Sequence, residues 1–127
     1  MHDNVTYEYT IIRVMPQVER GECFNVGVLL FSKRKKFLDV KYTINETKLK
    51  AFSCELDKAT LAAYLKSWKL ICKGDLQGGP IARLEQPDRF RWLAATRSTI
   101  IQSSKTHPGL CFNPETELEY LFEKFVL

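Results

Sequence analysis

Histidine is scarce in this sequence of 127 residues: only His2 and His107 occur, far apart. The four cysteines, Cys23, Cys54, Cys72 and Cys111, are scattered and form no C-x-x-C pair. Zinc sites draw on closely spaced cysteine and histidine, so neither a metal site nor a disulfide framework is expected. Free, mostly buried thiols in a reducing compartment are the simpler reading. On that reading Asn4-Val5-Thr6 and Asn45-Glu46-Thr47 are not glycosylation sites. No apolar run approaches the ~20 residues of a membrane span. Met1-His2-Asp3-Asn4 lacks the basic start and apolar core of a signal peptide. A cytoplasmic protein without membrane contact is expected. The P-loop, G-x-G-x-x-G, H-E-x-x-H and G-x-S-x-G patterns are all missing, and with them any reason to expect a cofactor. Internal repeats and low-complexity tracts are missing too. A net charge of +4 is too mild to imply nucleic acid by itself.

What is there is ordinary globular composition, 45% hydrophobic and 27% charged, which argues against disorder. The length suits one domain over 1–127, with about two-thirds of the unfolded surface buried. Tyr7 to Met15 carries strand-forming Tyr, Thr, Ile and Val and is ended by Pro16. Phe24 to Phe31 is apolar at nearly every position, as in a central strand covered on both faces. Phe37 to Ile44 alternates, with Leu38, Val40, Tyr42 and Ile44 on one face, as in a strand near an edge. Short connections make these an antiparallel meander.

Helical periodicity follows. Asn45 to Phe52 adds a short helix. Asp57 caps a longer one whose stripe is Leu61, Tyr64, Leu65, Trp68, Ile71 and Cys72, and Gly74 stops it. Leu76 to Gln86 reads as a loop with a short strand at Ile81–Leu84, and Pro87 opens a second helix. Ser98 to Ser104 reads as a later strand and Lys105 to Gly109 as a turn. Asn113-Pro114 starts a terminal helix with the stripe Leu118, Leu121, Phe122 and Phe125. The class is α+β: a three-strand meander plus a later strand, packed with about three helices.

Two stretches could carry chemistry. In the first, alternation puts Asn25 and Gly27 on one face of the second strand, with Arg13 close by on the first and Glu22 at the lip of the hairpin. Gly27 leaves room for a side chain, backbone or ligand to approach. In the second, Arg97, Ser98, Thr99, Gln102, Ser103, Ser104 and His107 gather donors of the kind an anion requires. The expected binding set is therefore Arg13, Glu22, Asn25, Arg97, Ser98 and His107. Catalytic residues cannot be named, because no elbow or orienting acid accompanies the serines. The bland readings are that Arg13 pairs with Glu22, that Asn25 satisfies a bulge, and that His107 is a turn residue. Lys33-Arg34-Lys35-Lys36 is read as a solvated hairpin tip, since lysines there guard a sheet against edge-to-edge association.

Tyr7 to Phe31 together with Arg89 to Gly109 resembles the bacterial domain-of-unknown-function family numbered three thousand and thirty-seven, over about Tyr7 to Phe125. Cys23 departs from the bulky residue usual there, which counts against a thiol-dependent function. The resemblance implies a bacterial cytoplasmic protein often encoded beside a HipA-like kinase, and supplies no catalytic residues. Two functions stay open. One is a non-enzymatic interaction module for a protein partner, with that kinase as candidate. The other, less favoured, is a phosphate- or nucleic-acid-directed protein or enzyme using Arg13, Arg97 and the Ser/His loop.

Overall fold

Aromatic and β-branched residues fill two long strands, β1 (Val5–Gln17) and β2 (Glu22–Ser32). The computed structural model describes residues 4–17, 22–51, 58–95 and 101–127. Strand β3 (Phe37–Tyr42) completes an antiparallel meander, and two short strands, β4 (Ile101–Ser103) and β5 (His107–Cys111), pair with the far side of β1. The sheet therefore has five strands, in the order β3-β2-β1 with β4 and β5 end to end along the last edge. Among the described residues there are four α-helices: α1 (Glu46–Ala51), α2 (Lys58–Lys73), α3 (Gln86–Ala94) and α4 (Pro114–Phe125). The α+β class holds, with one more later strand than the patterns implied; the short helix expected at Asn45–Phe52 is α1, beside the three longer ones.

Each face of the sheet carries its own core. On one face Ile12, Val14, Leu29, Phe31 and Val40 pack with Leu61, Leu65 and Trp68 of α2 and Phe90 and Leu93 of α3. On the other, Val5, Tyr7, Val28 and Leu30 pack with Leu118, Leu121 and Phe122 of α4. That is why β2 reads as a continuous apolar run: Val28, Leu29 and Leu30 are all fully buried, on alternating sides. Tyr64, expected in the α2 stripe, lies at its margin, exposed at 38%.

Three local expectations need correction. Lys105 to Gly109 is not a turn, because β5 begins at His107 and pairs Tyr9↔His107 through Val5↔Cys111. Pro108 is tolerated because β5 is an edge strand, where a missing N–H need leave no ladder bond unmade. No strand forms at Ile81–Leu84, where Pro80–Arg83 makes a 3-10 turn. Gly79, at φ +87°, turns the chain into it. Finally, β2 does not alternate cleanly. Ile12 pairs with Gly27 but Arg13 pairs with Asn25, so Val26 is an inserted bulge residue. Asn25 thereby turns to the α4 face. Gly27 keeps the opposite face with Tyr42, whose Cβ lies 2.9 Å from where a Gly27 Cβ would stand. The Asp57 cap lies outside the described residues. Among the described residues no helix is long and apolar enough to cross a membrane.

Candidate functional site

The bulge at Val26 builds a polar row across three strands. Arg13, on the interior strand β1, stands opposite Asn25 of β2 on one side and Gln102 of β4 on the other. Helix α4 ends at Phe125, and Asn25 Nδ2 donates to the Phe125 carbonyl at 2.9 Å. That bond satisfies one of the carbonyls a helix end leaves without a partner. It also fixes the amide, since a carbonyl only accepts: the nitrogen points to the helix.

The outer wall comes from a second irregularity. Between the pairs Tyr9↔His107 and Ile12↔Ser103, two residues of β1 face three of the edge, Ser104 to Thr106. Ser104 holds this bulge closed. Its Oγ accepts from the Ile11 N–H at 2.8 Å and donates to the Lys105 carbonyl at 3.0 Å, while Thr10 Oγ1 donates to the Ser104 carbonyl at 2.7 Å. Ser103 Oγ donates to the Leu93 carbonyl. Both hydroxyls are committed to the backbone, which leaves neither as a ready nucleophile. His107 sits across from Tyr9, ring centroids 5.2 Å apart.

These elements enclose an open recess of about 410 Å³ lined by Ile11, Arg13, Asn25, Ser104, Lys105 and His107. Among the described residues its lining has three basic side chains and no acidic one. Neither Arg13 nor Lys105 has a carboxylate partner among the described residues. Arg13 Nε is buried and makes no hydrogen bond. Buried donors are nearly always satisfied, so this one is an exception that costs the fold. A larger hollow of about 670 Å³ lies at the start of β2, lined by Phe24, Ile44, Glu46, Lys58 and Leu127 among others. Lys58 Nζ and Glu46 Oε1 pair there at 3.0 Å, and Lys48 and Asn25 also line it. The smaller recess differs in having no carboxylate among the described residues of its lining.

Of the residues singled out from sequence, Arg13, Asn25 and His107 line the same recess. Glu22 opens β2 opposite Gln17, and its side chain lies outside the described residues, as do Arg97 and Ser98. Lys105 had been passed over, although it stands between Ser104 and His107 in the same stretch. Read as part of a turn, its ammonium had no reason to face a site; on a bulge it has one.

A family model described as protein of unknown function (DUF3037) matches residues 9–126. No curated protein matches the chain, and no solved structure does.

Proposed function

The chain belongs to that family, and we propose that it is a small non-enzymatic binding module. Its recess, formed by Arg13, Asn25, Lys105 and His107, takes hold of an acidic group on a protein partner. The observation that carries this reading is the recess itself, which gathers Arg13, Lys105 and His107 and has no carboxylate among the described residues of its lining. A guanidinium is weakly hydrated and forked, so it gains most from a planar anion that replaces lost water on two donors at once. The setting is the bacterial cytoplasm, and the first partner to test is the HipA-like kinase that the family resemblance suggests.

Co-expression of tagged chain and kinase supplies the test. We expect co-purification that weakens as salt rises, and that is lost in both Arg13→Gln and Lys105→Gln while the thermal midpoint barely moves. Lys105 is exposed, so its variant keeps the test clear of folding defects. Retention of the kinase by both variants would exclude the recess as its docking point. A basic recess also suits a phosphate, and inorganic phosphate shifting the wild-type midpoint but not that of Arg13→Gln would favour the phosphate-directed alternative.

A further inference from the structure

Two kinds of group face the recess, and their ratio says more than its charge. Arg13, Lys105 and His107 can donate. Ser104 Oγ is already spent on Ile11 N and Lys105 O. Asn25 is the exception. Its Nδ2 is turned to the Phe125 carbonyl, which leaves Oδ1 as an acceptor with no hydrogen-bond partner among the described residues. Asn25 lines this recess and the larger hollow alike, and a site made only for a bare anion gains nothing from an acceptor oxygen in its wall. An oxygen there repels phosphate and carboxylate alike unless the ligand brings an N–H or O–H to it.

The two groups stand close together. Arg13 and Asn25 are direct cross-strand partners, so their Cα atoms are about 4.5–5.5 Å apart. Their side chains leave the sheet side by side on one face, so a ligand that meets both brings a carboxylate and a hydrogen-bond donor. In a protein the terminal residue has both on the same Cα: its α-carboxylate and its own amide N–H. The carboxylate of an internal Asp or Glu hangs on a flexible stem and carries no donor at a fixed offset. Ile11, half-buried at the floor of the recess, offers an apolar rest for the terminal side chain.

We infer that the recess recognises the free C-terminus of a partner polypeptide, its α-carboxylate on Arg13 and Lys105 and its terminal amide N–H on Asn25 Oδ1. This deepens the binding-module reading and rests on it. A volume of about 410 Å³ is at the lower end of the range for pockets that hold small ligands, ~300–1,000 Å³. It suits one or two residues rather than a long segment.

The probe is an array of random hexapeptides synthesised with free C-termini. Its strongest binders are remade in three forms: free acid, C-terminal amide, and free acid with the terminal amide nitrogen methylated. Amidation removes the charge and methylation removes only the N–H. We expect each to weaken binding at least about tenfold, as befits hydrogen bonds to charged or buried groups, and Arg13→Gln and Lys105→Gln to abolish it. Equal binding of acid and amide, through internal acidic residues, would overturn the terminus inference while keeping the recess as an acidic-group site. Binding of the free acid undiminished by methylation would remove the role given to Asn25 and overturn the inference in that form. If no peptide binds, the inference falls, and the kinase co-purification decides separately whether the wider reading falls with it.

Discussion

A methyl group added at Gly109 would stand 2.5 Å from Tyr7 Cζ, because the Tyr7 ring lies flat over the edge strand where a side chain would be. Gly109 is thus a packing residue in a place where Pro-Gly spells a turn. Gly27 is similar: its Cβ would meet the Lys41 carbonyl oxygen at 2.8 Å, so the close approach legible from the sequence is made by the backbone of β3. The Tyr7 hydroxyl donates to Glu117 Oε2 at 2.8 Å. Burial, and then this bond to a carboxylate, raise the phenol pKa well above its ordinary value. Tyrosine in the unfolded chain ionises near ~10. The neutral phenol therefore stabilises the fold fully below that pH, and the stabilisation drains away as pH climbs toward the higher folded value. We expect wild-type protein to lose stability faster than Tyr7→Phe in urea titrations between about pH 9 and 11. Parallel loss in the two would show that Tyr7 has no part in the alkaline limit.

Helices α2 and α3 are joined by one side chain. Arg89 of α3 donates from Nη1 to the carbonyls of Ile71 and Cys72, at 2.8 and 2.9 Å, and from Nε to that of Leu84 at 3.0 Å. It closes the C-terminal end of α2, which Gly74 ends at φ +70°. Lysine carries the same charge but cannot fork, so Arg89→Lys should cost about 1–3 kcal/mol by denaturant unfolding. A change below about 0.5 kcal/mol, the range of neutral surface substitutions, would mean these bonds contribute nothing net. The helices themselves were legible, because their apolar stripes recur at 3.6 residues and survive local error. The strands were legible as segments, from Tyr, Val, Ile and Phe in runs. Their irregularities were not. A bulge at Val26 leaves no residue signature, yet it reverses the face of every residue on one side of it, and so parted Asn25 from Gly27. The edge strand hid for a different reason: His107, Pro108 and Gly109 make a poor central strand and a serviceable edge. The candidate site depends on both irregularities. Arg13, Asn25 and His107 could be named from the sequence, whereas Lys105 and the convergence of all four needed the register.

Strands β1 and β2 belong to two cores at once, and this sets how the whole molecule should unfold. The core under α4 is the smaller, with Leu118, Leu121 and Phe122 against Val5, Val28 and Leu30. The core under α2 and α3 holds Trp68, exposed at only 1%. If the sheet between them were merely a scaffold, damage to one face could loosen α4 and spare the other. It is more than that: Val28 and Leu30 alternate with Leu29 and Phe31 on a single strand, and β2 cannot lose its pleat on one side and keep it on the other. Close packing carries the strain across. We therefore expect Leu118→Ala, which removes a side chain 3% exposed, to cost about 2–5 kcal/mol. The loss should also reach the far core. Indole fluorescence, dominated by buried Trp68, and far-ultraviolet circular dichroism should show one coincident transition, lowered together, as two-state unfolding requires. A fluorescence midpoint that stays at the wild-type value while the dichroism shifts would divide the molecule into two independently melting faces. The recess of Arg13 and Asn25 would then rest on the weaker of them, because Asn25 is tied to the Phe125 carbonyl at the end of α4.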